Sequence, residues 1–383
     1  MKIYGFSFSQ LELILFGVLF LAFIYQFYFY FRYMNGVLHL CSKLKKNKVL
    51  FLNEQPPISV IICAKDEADN LRKFLPFFLQ QDYPDFEVIV INDGSTDETE
   101  TLLNDLSVEY QNLRTTFVPV GANNLSTKKL GLTLGIKAAK NDLLLFTDAD
   151  CMPENNQWIS RMARNFTRET EFVLGYGAYF QMKGFLNRLI TYDTLFIGLQ
   201  YLGMAAARKP YMGVGRNLAY RKETFFANKG FASTLHLSSG DDDLLVNKAC
   251  TPWNTRIEIA PDSITWSEPN TTFNGWLYQK ERHLSVSSYY KSFSKFRLFF
   301  EPFTRGLFYL ALILTIVMGG LITQIACGVL FITRFIIQLT IINKSSKHFV
   351  GRKYLFTLPI FDIFLPLFNL YILIFGRKTS HRW

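Results

Sequence analysis

Cysteine is scarce and unpatterned in this chain. Its five residues, Cys41, Cys63, Cys151, Cys250 and Cys327, are widely spaced and contain no C-x-x-C pair. A disulfide scaffold, a zinc ribbon and a dithiol redox centre are thereby excluded, and reduced, mostly buried thiols are expected. No G-x-G-x-x-G follows the first strand-like run and no P-loop is present, so dinucleotide-dependent oxidoreduction and P-loop NTP hydrolysis are poor readings. Internal repeats and low-complexity tracts are lacking as well. Charge is thin: Asp, Glu, Lys and Arg make up 19% of 383 residues, against 49% hydrophobic residues, 38 Phe and 19 Tyr. That balance is too apolar for a wholly soluble protein and too charged for a wholly intramembrane one, so a mixed architecture is expected.

Long apolar runs supply the membrane part. Residues 11–33, LELILFGVLFLAFIYQFYFYFRY, carry only Glu12 and Arg32 as charges, both near the ends, and are long enough to cross a hydrocarbon core of roughly 30 Å. A signal peptide is the competing reading; against it stand the length of the run and the lack of a small-residue cleavage site after it. Residues 303–342 are nearly all apolar but interrupted near Gly319, Gly320 and Gln324, the pattern of two helices joined by a tight turn. Residues 354–375 contain Pro359, Asp362 and Pro366, which are costly in a simple lipid-facing span and favour a re-entrant or interfacial segment. Arg334, inside the second hairpin helix, is expected to face protein or headgroups.

Basic residues cluster after the first span (Lys43, Lys45, Lys46, Lys48), after the hairpin (Lys344, Lys347, Arg352, Lys353) and at Arg377, Lys378 and Arg382. Such clusters mark cytoplasmic loops. The expected order is an N-terminal transmembrane helix (1–35), a basic juxtamembrane linker (36–56), a cytoplasmic α/β domain (57–270), an amphipathic interfacial segment (271–301), a transmembrane hairpin (302–343) and a third apolar segment (354–376), in an integral protein of the cell or inner membrane. The net charge of +10 owes much to the juxtamembrane residues, so it points to an anionic membrane surface before nucleic acid.

Between about residues 53 and 267, short β-branched runs alternate with amphipathic stretches, the pattern of an α/β domain with a mostly parallel sheet. Strands are predicted over 58–64, 86–91, 115–120 and 143–147, and helices over 67–80, over 96–106 with Ser95 as cap, and over 128–140. Acids fall at the strand ends: Asp66 and Glu67 after the first, Asn92 and Asp93 after the second, Asp148 and Asp150 after the fourth. In an open parallel sheet those ends share one edge, and ligands bind in the crevice outside it. Any one of these acids read alone is a solvated turn or a helix cap; jointly they predict one pocket. Asp148 and Asp150 are i and i+2 in extended chain, so both can address one hard cation, Mg²⁺ or Mn²⁺.

These residues resemble the family 2 glycosyltransferases of the GT-A fold, which include the cellulose and hyaluronan synthases. PISVIICAKDEADNL is similar to the family's opening strand and turn, VINDGSTDET to its nucleotide-binding turn, and STKKLGLTLGIKAAKNDLLLFTDADC to its lysine-bearing helix and D-x-D. GVGRNLAYRKETFFANKGF resembles the acceptor-side segment, SGDDDLLVNK stands where the family has E-D, and QKERH where many members have Q-x-x-R-W.

The resemblance implies that Ala64, Asp66 and Glu67 line the nucleotide, that Asp93 accepts a hydrogen bond from the base, with uracil expected, and that Asp148 and Asp150 hold nucleotide and metal. Lys128 or Lys129 assists the phosphates or ribose. Gly215 and Asn217 lie on the acceptor side, and Asp242, with Asp241 second, is the base. Three adjacent carboxylates, Asp241 to Asp243, repel one another and raise a pKa; an acidic helix N-terminus is the plainer reading. Gln279 and Arg282 share a helix face, and Arg suits a diphosphate. His283 replaces the usual tryptophan, so stacking on an acceptor sugar falls to His283 itself or to Trp276.

The expected function is inverting transfer from a UDP-linked sugar to a lipid-linked or glycan acceptor at the cytoplasmic face, within cell-envelope polysaccharide chemistry. The alternatives are a processive polysaccharide synthase and a non-catalytic nucleotide-sugar-binding scaffold.

Overall fold

The computed structural model describes residues 2–3, 6–7, 9–118, 127–237 and 239–376. Arg377, Lys378 and Arg382 lie outside them, as does the end of the strand predicted over 115–120. After a short antiparallel pairing of Lys2–Ile3 with Phe6–Ser7 comes a long helix, α1 (Gln10–Phe29), which passes through a π-turn at Tyr30–Met34 into α2 (Gly36–Lys45). The first ten residues expected to form a linker are therefore helical.

The α/β domain follows. Strand β1 (Ile58–Ala64) leads to α3 (Ala68–Leu79), β2 (Phe86–Asn92) to α4 (Thr99–Glu109), and β3 (Leu113–Phe117) to α5 (Thr127–Ala138). Then come β4 (Leu143–Asp148), β5 (Cys151–Pro153), α6 (Trp158–Ala163), β6 (Phe172–Leu174), β7 (Gly177–Tyr179), α7 (Phe185–Ala206), β8 (Leu218–Arg221), α8 (Lys222–Ala227), α9 (Asp243–Ala249), β9 (Thr255–Ile257) and β10 (Thr265–Ser267).

Seven strands form one sheet in the order β9-β6-β8-β4-β1-β2-β3, and β5, β10 and β7 form a smaller one. Every residue of β1 is buried, because helices cover both sheet faces. Alternate residues divide accordingly: Ile61, Cys63, Ile89 and Ile91 pack under α5, whereas Val60, Ile62, Val88 and Val90 pack with α3 and α6. Gly135 lets α5 approach closely, since a Cβ there would lie 2.6 Å from Ile91.

Register brings the site together. In the parallel pairs Cys63 lies level with Asp148 and Ala64 with Asn92. Strand β8 runs antiparallel to β4, with Leu218 opposite Phe146. Its beginning, preceded by Gly215–Asn217, therefore reaches the edge where β1, β2 and β4 end. The sheet is mostly parallel with this one reversed strand.

The first two turns are laced to each other. Ser95 Oγ accepts from Asp66 N (2.9 Å), Asp66 Oδ1 accepts from Thr96 N (2.6 Å), and Asp97 Oδ2 accepts from Ala68 N (3.0 Å) at the start of α3. Ser95 thus does not cap α4, which starts later than expected; its hydroxyl serves the neighbouring turn. Asp66 sits at φ 54°, a left-handed conformation that Asp tolerates.

Helix α10 (Phe273–Val286) crosses to α11 (Ser292–Met318), α12 (Leu321–His348) and α13 (Leu358–Phe375). Four helices among the described residues are long and apolar enough to cross a membrane: Gln10–Lys45, Ser292–Met318, Leu321–His348 and Leu358–Phe375. The break falls at Gly319 and Gly320 as expected, but both hairpin helices outrun the apolar stretch.

Residues 358–375 form one continuous helix rather than a broken re-entrant segment. Pro359 sits in its first turn, where no helical hydrogen bond is lost, and Asp362 is fully buried. Arg334 donates to Asp362 Oδ2 at 2.7 Å and Arg305 to Oδ1 at 3.2 Å, while Arg305 also pairs with Glu301. Gln338 Nε2 bonds Asp362 Oδ1 (2.5 Å), and Gln26 Oε1 accepts from Arg334 (3.1 Å). Intramembrane polar groups satisfied inside a bundle avoid the cost of facing lipid.

The bundle meets the α/β domain at two glycines: a Cβ on Gly203 of α7 would lie 1.9 Å from the Tyr33 carbonyl oxygen, and one on Gly36 would lie 2.8 Å from Gly203 Cα.

Candidate active site

At the carboxyl edge of the sheet opens a cleft of about 340 Å³ lined by Lys128, Asp148, Gly215, Asp241 and Asp242, with Cys63 and Phe146 at its floor. Lys128, at the start of α5, places its Nζ 3.0 Å from Asp148 and 3.7 Å from Asp241. Burial opposes ionisation of Asp148, but the Lys128 ammonium, with Arg216 and Arg282 behind it, holds the carboxyl below its ordinary range. Asp150 behaves oppositely, because burial and the nearby Asp148 carboxylate push it up. Asp148, Asp150 and Cys151 place ligand atoms within 4.8 Å of one another. The Cys151 thiol contacts Ser267 Oγ at 3.1 Å, and burial keeps it protonated. The hard oxygen pair therefore remains as the candidate set for a cation.

Across the cleft, Gly215 N donates to Asp242 Oδ2 (2.6 Å) and Asp243 N to Oδ1 (2.7 Å). A side chain at Gly215 would crowd this carboxyl, as its Cβ would lie 3.3 Å from Oδ2. Burial and then Asp241 push Asp242 up to about 6, and burial with Asp242 raises Asp243 as well. Tyr290 Oη donates to Asp243 Oδ2 at 2.5 Å, so Asp243 faces the protein. Asp242 caps the seven-residue α9; the helix-terminus and cleft readings of the acidic run hold together.

Of the nucleotide-side candidates, Ala64 and Asp93 are buried at the strand ends, and Asp93 N donates to Ala64 O (2.8 Å). Glu67 accepts from Asn70 (2.6 Å), and burial raises its pKa, with Asp150 and Asp148 contributing. Asp66 spends its side chain on the neighbouring turn. Lys129 leaves the cleft and donates to the carbonyls of Thr234, Leu237 and Ser239 at 2.7–3.0 Å, fixing the loop that leads to Asp241; of the two lysines, Lys128 alone faces Asp148.

Gln279 bonds Tyr179 Oη (2.8 Å) and Asn270 (3.1 Å). Arg282 is half-buried, and its Nε has no hydrogen-bond partner among the described residues. The His283 side chain stays exposed at its surface, yet the surrounding protein and the charges of Arg282 and Arg216 hold it in the neutral form.

Two expectations fail on burial. Asn217 is fully buried, and its amide is consumed by Tyr176 O, Ser263 O and Trp158 Nε1 at 2.6–3.1 Å, so it positions the 215–217 turn and cannot touch an acceptor. Trp276 is 2% exposed and stacks on Phe368 of α13 at 5.1 Å, which binds α10 to the helical bundle instead of presenting a platform. Arg216 was missed: its guanidinium lies 4.2 Å over the Tyr179 ring, bonds the Gly177 and Ala178 carbonyls, and acts on both Asp148 and Asp150. A cation between Gly215 and Asn217 was the available signal. Tyr290 had none.

Residues 59–226 match the family described as Glycosyl transferase family 2. Over that stretch the chain is similar to the family 2 glycosyltransferases. The chain is 32% identical over 108 residues to the glycosyltransferase AglE of Haloferax volcanii, a stretch covering 28% of this chain and only 34% of that relative. It is 24% identical over 372 residues to the probable glycosyltransferase YdaM of Bacillus subtilis, covering 87% of each. Its fold is that of the mannosyltransferase PcManGT of Pyrobaculum calidifontis, solved with GDP-Man and Mn²⁺, with a TM-score of 0.58 at 15% identity over 95% of this chain and 100% of the other. The family match ends before the acidic run, so the Asp241–Asp243 half of the cleft lies beyond it.

Proposed function

We propose that this glycosyltransferase moves a sugar from a nucleoside diphosphate donor, UDP-linked in the first instance, to a hydroxyl of a lipid-linked or nascent glycan acceptor at the cytoplasmic membrane face, by single displacement with inversion. The observation that carries it is the gathering of Lys128, Asp148, Asp241 and Asp242, from three separate segments, around one cleft.

Ala64, Asp66, Glu67 and Asp93 border the nucleotide end, with Asp93 receiving the base. Lys128, Arg216 and Arg282 face the diphosphate and oppose its charge as the glycosyl bond breaks. Asp148 and Asp150 are the residues that would hold Mg²⁺ or Mn²⁺; the buried like-charge crowding that raises Asp150 is what a cation relieves. When bound, such an ion supplies further charge stabilisation to the departing diphosphate. Asp242 takes the acceptor hydroxyl's proton: two backbone N–H groups fix its orientation, and a value of about 6 leaves it ionised yet basic near neutral pH. Gly215 and His283 lie on the acceptor side.

The four apolar helices and the basic residues beside them support a multi-pass protein with the cleft on the cytoplasmic side. So few helices favour single transfer over processive synthesis with export. Thermal-shift screening of UDP- and GDP-sugars against the purified protein tests the reading. At least one nucleotide should raise the melting temperature, more so with Mn²⁺, and Asp150→Asn should abolish the Mn²⁺ increment; indifference to every nucleotide diphosphate would overturn it.

A further inference from the structure

Helix α5 opens with two adjacent lysines that serve different places. Lys128 faces Asp148 and Asp241 in the cleft. Lys129 is fully buried and donates to the carbonyl oxygens of Thr234 (2.7 Å), Leu237 (3.0 Å) and Ser239 (2.7 Å). Those carbonyls belong to the segment that joins α8 to α9 and ends on Asp241 and Asp242. Apart from one 3₁₀ turn at Ala232–Thr234, the described residues of this segment lie in no helix or strand. Their carbonyls have no ladder to join, and buried ones need a donor from elsewhere.

Little else of a directional kind holds the segment. Among the described residues its other hydrogen bonds are local, as where Thr234 N donates to Phe231 O (2.8 Å) and Leu237 N to Thr234 O (3.0 Å). Gly230 at φ 48° and Gly240 at φ 89° bound it, conformations that glycine adopts at little cost. Phe231 packs on Phe225 with ring centroids 4.9 Å apart, and Leu235 and Leu237 rest on the core. Apolar contacts are non-directional, whereas hydrogen bonds to one buried ammonium fix distance and angle. Burial draws that ammonium down to about 8, against the pull of Asp241, Asp243 and Asp242, so it stays charged at neutral pH.

We infer that Lys129 is a positioning residue for the transfer, setting through these carbonyls where the Asp241 and Asp242 carboxylates stand against Lys128 and Asp148. The inference rests on the proposed function for the role of Asp242, and on the geometry alone for the tether. One turn of α5 then sets both sides of the cleft: Lys128 directly, at Asp148, and Lys129 at a distance, through the segment that carries the acids.

The test is hydrogen exchange, read by mass spectrometry on the intact protein in phosphatidylcholine nanodiscs, for the parent and for Lys129→Met, which keeps the side-chain bulk and removes the donors. The amides of Gly215 and Asp243 report the Asp242 carboxyl, because both donate to it. In the variant, peptides covering residues 232–243 and the peptide containing Gly215 should exchange at least about 10-fold faster, with β1 and β2 unchanged. Unchanged protection at Gly215 and Asp243 overturns the inference, including the case in which residues 232–239 alone loosen and Lys129 merely fastens the loop. Should methionine also expose β1 and β2, Lys129→Gln, which retains amide donors on a shorter arm, is read by the same peptides and the same criterion. With the donor that the nucleotide screen selects, Lys129→Met should lower kcat about 10–100-fold and leave KM for the donor within about twofold. A raised KM with kcat unchanged would assign Lys129 to donor binding and overturn the inference. The exchange measurement needs no substrate, so failure of the donor reading shows itself separately.

Discussion

Two buried clusters of charge in this chain are finished to different degrees. In the helical bundle, Arg305 and Arg334 face Glu301 and Asp362, two charges against two, and Gln26, Gln338 and Tyr309 take up the remaining bonds, leaving Arg334 Nε as the one orphan atom among them. In the cleft, Lys128 serves Asp148 and reaches Asp241, but burial with the Asp148 carboxylate raises Asp150 above the ordinary carboxylate range, and burial with Asp241 raises Asp242. A closed cluster holds helices together, whereas a cluster left with excess negative charge and an open face is equipped to receive a cation and a proton.

The largest expected effect tests the open cluster. Asp242→Asn keeps an acceptor for Gly215 N but removes the proposed base, and kcat should fall about 10²–10⁴-fold with nucleotide thermal shifts unchanged. A collapse of folding instead would make the cleft a structural device like the bundle.

Asp362→Leu should break the closed cluster by stranding the Arg334 guanidinium, while Arg305 keeps Glu301, at about 3–5 kcal/mol, read as a lower melting temperature in detergent. Replacing Glu301, Arg305 and Arg334 by apolar residues of similar size in the same chain should restore most of that loss.

A pH titration sharpens the contrast. Because Asp242 and Asp243 bind protons more tightly folded than unfolded, their protonation stabilises the native state in acid, and that contribution is lost as pH rises from about 4 through the folded values. Asp243→Asn should therefore raise the melting temperature at about pH 9 and lose this advantage toward about pH 4. Turnover should decline as pH falls through about 6, where Asp242 takes up its proton.

The smallest effect belongs to an exposed trio. Arg72 lies 3.3 Å from Asp69 and 3.1 Å from Glu98 with all three side chains more than half exposed, so Arg72→Ala should cost under about 1 kcal/mol and leave kinetics alone.

Much of the fold was legible because strand and helix signals are local. ISVIICA declares a buried strand by composition, and LLLFT before D-A-D places two acids at a ligand edge whatever the rest of the chain does. Side-chain partners are not local, and the readings failed there. Asn217 looked like a ligand-facing amide until three partners from distant segments enclosed it. Ser95 looked like a cap because the turn that uses it lies 29 residues away. The strand Leu218–Arg221 was hidden inside a segment read for its glycine and asparagine. Asp362 looked costly in an apolar helix because Arg305 and Arg334, which pay for it, sit on other helices.

The meeting of Gly36 and Gly203 has a mechanical consequence. With backbone resting on backbone there, no rotamer can absorb a change in thickness, so the height of the α/β domain above the hydrophobic helices is fixed by main-chain geometry. A single methyl group at either glycine would act as a shim, tilting one body against the other.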